Sequence, residues 1–80
     1  MIDIKFEKDK SVAYDGNKKI GECDFVESQD TWNITHTEVD SSYQGQGIAR
    51  KLVEIIIKKA KDENKTLIAD CSYAKKVIEK

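Results

Sequence analysis

The sequence predicts an α+β domain with a mostly antiparallel sheet and the element order β-β-β-β-α-β-α, including one parallel strand pair around the long helix. Three observations carry this expectation. Four runs of alternating, β-branched or aromatic residues between positions 2 and 39 are separated by short polar turns. A long run from Ile48 then repeats its apolar residues at helical spacing. The apolar-rich stretch Thr66 to Ala69 follows, and a strand reached from another strand through a helix is expected to run parallel to it.

In the first run Ile2, Ile4 and Phe6 alternate with Asp3, Lys5 and Glu7, the period of a half-buried strand. Asp9-Lys10 reads as a turn into a second strand, Ser11 to Tyr14. Asp15-Gly16-Asn17 reads as a tight hairpin, because Gly and Asn tolerate positive φ. The third strand spans Lys19 to Val26, and its apolar parity changes from Ile20 to the series Gly21, Cys23, Phe25, so a bulge is expected at the glycine. Cys23, on an apolar strand face, is read as core.

Glu27 to Asp30 is the next turn, and Thr31 to Val39 the fourth strand. Strict alternation would place Trp32, Ile34 and His36 on one face of it and Thr35, Thr37 and Val39 on the other, with Trp32 in the core. In the helix, Ala49, Leu52, Val53, Ile56, Ile57 and Ala60 form the apolar stripe, widened by Ile48 and Ile55. Lys58, Lys59 and Lys61 complement the dipole in its last turns, and Asn64 supplies a left-handed cap, so the helix ends near Glu63. After the fifth strand, Ala74, Val77 and Ile78 mark a short last helix up to Lys80.

No repeat, linker or low-complexity tract divides the 80 residues, so residues 1–80 are read as one domain with one core. Hydrophobic residues at 39% and charged ones at 36%, intermixed along the chain, describe a soluble globular protein, without a segment for the membrane. A net charge of -1 argues against nucleic acid, whose recognition needs a basic excess. The first residues show no secretion signal, which places the protein in the cytoplasm, where Cys23 and Cys71 are expected as free thiols. With only His36 beside them in ligand type, no metal site is expected.

The stretch Gln44-Gly45-Gln46-Gly47-Ile48-Ala49 stands where the fourth strand hands over to the helix. A helix start normally carries a Ser, Thr, Asp or Asn cap and acidic residues in its first turn, because its backbone N–H groups lack partners and its dipole end is positive. Here glycines precede the helix and Arg50 and Lys51 occupy the first turn. Such a terminus suits an external anion, with a phosphate-bearing ligand the first expectation.

The run Val39-Asp40-Ser41-Ser42-Tyr43-Gln44-Gly45-Gln46-Gly47-Ile48-Ala49 resembles motif A of the GNAT superfamily of N-acetyltransferases, with Gln44, Gly47 and Ala49 on its fixed positions. Together with His36-Thr37-Glu38-Val39 and Cys71-Ser72-Tyr73-Ala74, it is similar to a subgroup of very small, single-domain GNAT-like proteins. Ser41 stands where many relatives have proline. The resemblance implies a minimal GNAT-like fold and the cofactor acetyl-CoA (CoA). It places the pyrophosphate on Gln44, Gly45, Gln46, Gly47, Ile48, Ala49 and Arg50, and the pantetheine arm along the strand ending at Val39. The partners implied are acetyl-CoA and an amine acceptor, small molecule or protein.

Acetyl transfer needs a neutral amine, and deprotonating an ordinary lysine at pH 7 costs roughly 4.6 kcal/mol. His36 is the one side chain with an unperturbed pKa near neutrality, so it is the candidate base, against the alternative of a histidine bonded within the sheet. Cys71, at the C-terminal end of the fifth strand, is the candidate acceptor of the acetyl group, against the alternative of a small buried hydrophobe. Tyr73 as proton donor to the departing thiolate and Glu38 as base are weighed against packing and a solvated strand position. The function expected is N-acetyltransfer, the alternative a CoA-binding or protein-interaction module without catalysis.

Overall fold

The computed structural model describes residues 1–78. Strands β1 (Ile2–Glu7), β2 (Lys10–Asp15), β3 (Lys18–Ser28) and β4 (Thr31–Val39) form an antiparallel meander. Helix α1 (Ile48–Asp62) crosses over to β5 (Thr66–Ala69), which pairs with β4 in parallel and completes a five-stranded sheet of order β1-β2-β3-β4-β5. Helix α2 (Ser72–Ile78) closes the described chain, and the last two positions of the helix expected up to Lys80 lie outside the described residues. The α+β class, the element order and the parallel pair are those expected.

The boundaries moved by one or two residues where turns proved tighter. Lys10 opens β2 rather than ending a turn, leaving Lys8-Asp9 as the connection. Gly16, at φ 62°, makes the second hairpin. Helix α1 ends as its sequence requires. Asn64 takes the left-handed conformation at φ 57°, its N–H donates to Lys61 O and that of Lys65 to Ala60 O, the double bond of a Schellman stop.

Both helices cover the same sheet face. Leu52, Val53 and Ile56 of α1 and Ala74 of α2 join Cys23, Phe25, Trp32 and Ile34 in one buried cluster. Each fully buried aliphatic residue there contributes about 1.5–3 kcal/mol. Ser11 Oγ, also buried, donates to the Leu52 carbonyl at 2.7 Å and ties the helix to β2. Gly21 allows the close approach, since a Cβ there would stand 3.0 Å from Glu38 O and 3.4 Å from Leu52 Cδ1. The other face carries Glu22, Asp24, His36 and Glu38 on its central strands.

Two bulges break the alternation. The first lies where parity changed in β3: Ala13 pairs with Gly21 and Tyr14 with Lys19, which leaves Ile20 as the extra residue. The second, unannounced by any glycine, is in β4. Asp24 pairs with His36 but Phe25 with Ile34, so Thr35 is extra and all that follows is turned over. The expected faces of β4 are therefore corrected: Trp32 and Ile34 share the core side with Thr37 and Val39, while His36 is exposed on the opposite side with Glu38.

Candidate functional site

The Thr35 bulge divides β4 into two differently placed halves. From Thr31 to Ile34 it is paired on both sides, with β5 in register up to Ala69, and Ile34 O accepts from the N–H groups of Asp70 and Cys71. Beyond the bulge β5 gives way to α2 and β4 keeps only β3 as a partner. Asp40 N–H points to β3, donating to Ile20 O. By alternation, the backbone groups of Val39 and Thr37 point the other way, into the gap.

That gap is a cleft of about 530 Å³ lined by Thr37, Glu38, Val39, Gln44, Ala49 and Tyr73. It shares Val39, Gln44, Ala49 and Tyr73 with a groove of about 330 Å³ that runs along Gly45 and Gly47 to the start of α1. The strand edge thus leads directly to the helix terminus. At that terminus Gly47 is the N-cap, in the left-handed conformation at φ 76°, with no side-chain cap bond and no acidic residue in the first turn. Gly45 is also left-handed, at φ 84°, and an added Cβ at either glycine meets open space, so backbone conformation selects glycine here. Lys51 N–H is the first to be taken up, by Gly47 O, which leaves the donors of Ile48, Ala49 and Arg50 directed outward. Arg50 joins the site through this donor: its side chain lies against Glu54 at 3.2 Å.

The loop between strand and helix is held by residues that sequence reasoning passed over. Ser41–Tyr43 form a 3-10 turn capped by Asp40, whose carboxylate accepts from Ser42 N–H at 2.9 Å. That bond holds the Asp40 carboxyl below its ordinary range. The Tyr43 hydroxyl donates to Asp15 at 2.5 Å, which lowers the Asp15 carboxyl and raises the Tyr43 phenol. Gln44 Nε2 donates to Val39 O at 3.3 Å, and Gln46 is exposed. An Asp two residues before a serine is the signature that would have found the turn.

His36 and Cys71 stand on opposite faces of the sheet. His36 is bonded to Glu38 at 2.6 Å, and Glu38 lines the cleft. Glu22 lies across from Glu38, with its own charge taken up by Lys10 and Lys19. Cys71 sits on the helix side, its Sγ 3.6 Å from Oγ1 of Thr37, and it is Thr37 rather than Cys71 that lines the cleft. Burial alone would raise the Cys71 thiol. The N–H of Ala74, the Thr37 hydroxyl and the N–H groups of Tyr73 and Thr37 outweigh it and bring the thiol below its ordinary value. Tyr73, half exposed, lines both the cleft and the groove. Cys23 and Trp32 are core, as expected.

Among the described residues no helix is long and apolar enough to cross a membrane, and no cluster of His, Cys, Asp and Glu could hold a metal. The model of the GCN5-related N-acetyl-transferase family matches residues 9–80. The solution structure of a GCN5-like candidate N-acetyltransferase from Staphylococcus aureus is 32% identical and superposes with a TM-score of 0.75 over 96% of this chain and 78% of that one. A structure of the NatC complex bound to Gag peptide and CoA contains a chain 29% identical, TM-score 0.66, with 88% of this chain and 54% of that one covered. The ribosomal-protein-S18-alanine N-acetyltransferase of Escherichia coli shares the fold, with a TM-score of 0.75 at 20% identity over 94% of this chain and 52% of that one. The chain thus spans about half the length of these two larger proteins. No curated protein sequence matches it significantly.

Proposed function

This chain belongs to the GCN5-related N-acetyltransferase family, and from that premise we propose that it binds acetyl-CoA in the groove between β4 and α1 and transfers the acetyl group to an amine. One observation supports the reading above the others: the open edge of β4 runs without interruption into an uncapped, glycine-lined helix terminus. A phosphate chain fits the outward donors of Ile48, Ala49 and Arg50 and the left-handed turns at Gly45 and Gly47. An amide-bearing arm fits the Val39 N–H and the Thr37 carbonyl, the two groups of this edge left without a partner strand, which would hold it as an added strand. Gln44 and Gln46 flank this path, with Gln44 fixed on the Val39 carbonyl.

The thioester would then lie where β4 and β5 part, between Cys71 on the helix side and the His36 and Glu38 pair on the open side. Glu38, backed by His36, takes the proton of an approaching ammonium group, whose deprotonation is the largest cost of the reaction at neutral pH. Cys71, with its thiol held low, receives the acetyl group in a thioester exchange: a bond forms from Sγ to the acyl carbon as the bond to CoA sulfur breaks. Tyr73, which lines both groove and cleft, gives a proton to the departing thiolate in this reading. The amine acceptor and the cytoplasmic setting belong to the same proposal.

Isothermal titration with acetyl-CoA is expected to give saturable binding, and no heat at millimolar ligand would remove the central claim. Incubation with labelled acetyl-CoA is expected to label the wild type and not Cys71→Ala. Binding with neither self-labelling nor transfer to a panel of amines would make the chain a passive CoA-binding module.

A further inference from the structure

Cys71 is not the only thiol at the parting of β4 and β5. Thr37 Oγ1 lies 3.6 Å from Cys71 Sγ and 3.3 Å from Sγ of Cys23, a side chain with no exposed surface. A threonine hydroxyl has one proton to donate and can accept others. With both thiols protonated, Cys71 donates to Thr37 and Thr37 donates to Cys23. Once Cys71 loses its proton to water, its thiolate can only accept, and the Thr37 proton must turn toward it. Burial pushes the Cys23 thiol up to about 11, so Cys23 keeps its proton throughout the neutral range and can donate it to the oxygen that Thr37 has turned away.

We propose that Thr37 is the positioning residue of Cys71, and that Cys23, Thr37 and Cys71 form one relay whose hydrogen bonds reverse direction when Cys71 ionises. The inference rests on the reading of Cys71 as the acetyl acceptor and assigns the buried Cys23 a part in it. The surroundings leave the relay undisturbed. Asp24 on β3 opposes ionisation of Cys23, Asp70 beside Cys71 is engaged by Asn33 at 2.9 Å, and Tyr73 follows on α2. The residues α1 buries in the core, Ile48, Leu52, Val53, Ile56 and Ala60, carry no charge.

Thiolate absorbance, followed against pH in wild type with Cys71→Ala subtracted, reads the Cys71 midpoint without acetyl-CoA. In Thr37→Val, of nearly the same shape, the midpoint is expected to rise by about one pH unit, the effect of one hydrogen bond lost to a charged sulfur. Alkylation by iodoacetamide at pH 7 slows only about threefold, because the roughly tenfold loss of thiolate is partly offset by the higher nucleophilicity of the more basic sulfur. Thr37→Ser keeps the wild-type midpoint, and Cys23→Ala raises it by less than Thr37→Val. A Thr37→Val midpoint equal to wild type, or a Thr37→Ser midpoint raised as far, overturns the proposal. Should Thr37→Val fail to fold by its amide spectrum, an unshifted Cys23→Ala midpoint overturns the relay. A protein that fails to take acetyl-CoA still reports its thiol midpoint, so the two readings fail separately.

Discussion

The two halves of β4 differ in what their hydrogen bonds and side chains are used for. Before the bulge, Trp32 and Ile34 are buried and the backbone is paired to β3 and β5. After it, Thr37 and Val39 are partly buried, with an open edge toward the cleft. One strand is therefore a structural staple over its first four residues and has an open edge over its last four, and a single inserted residue, Thr35, separates the two. A continuous strand paired on both sides would have been more stable and would have had no backbone groups to offer a ligand.

Substitutions can break this comparison. The largest effect is expected from Ile34→Ala in the closed half, which removes a fully buried side chain and costs about 3 kcal/mol, a large share of a small domain's stability. Thermal or urea unfolding measures it. An unchanged transition with lost ligand binding would show that the halves are not divided in this way. Next comes Gly47→Val at the end of the open half. A β-branched residue is strained at a φ of 76°, by about 1–2 kcal/mol, so acetyl-CoA affinity is expected to fall about tenfold or more in calorimetry. A wild-type affinity would detach the groove from the ligand.

The smallest effect is expected from Tyr43→Phe, which releases the loop that follows β4 from Asp15. The Asp15 carboxyl is lowered in the folded protein, so its share of stability is complete above its unfolded pKa of about 3.9 and is lost as pH falls through the lower folded value. The Tyr43 phenol is raised, so its share is complete below its unfolded pKa of about 10 and is lost as pH rises through the folded value. The variant should therefore melt slightly lower than wild type between these limits and converge with it in acid. A difference that persists once the Asp15 carboxyl is protonated in the folded protein would assign the bond another role.

Much of this molecule was legible because its elements announce themselves locally. Ile2, Ile4 and Phe6 keep strand period, Asn64 stops α1, and the glycines before Ile48 mark a helix without a cap. The Thr35 bulge was not read, although the cue that revealed the first bulge was present again. Trp32 and Ile34 have even parity, Thr37 and Val39 odd, and the residues between them suit either face. That one missed residue accounts for the misplaced ring of His36, because a bulge inverts everything beyond it. The pairings of Tyr43 with Asp15 and of Thr37 with two thiols join residues distant in sequence, and no local pattern encodes them.

The crossover has one further consequence, in the distribution of opening free energies. Strands β1 to β4 are zipped through two-residue turns, whereas β5 is held by four residues of pairing across the whole of α1. Local unfolding follows the smallest cooperative unit, and here that unit is β5 with α2, which can detach while the meander and its aromatic stack of Phe6, Phe25 and Trp32 remain intact. Cys71 and Tyr73 ride on that unit. Amide exchange should therefore be fastest around the two residues nearest the proposed chemistry, while the strand that carries His36 and Glu38 stays with the slowly exchanging meander.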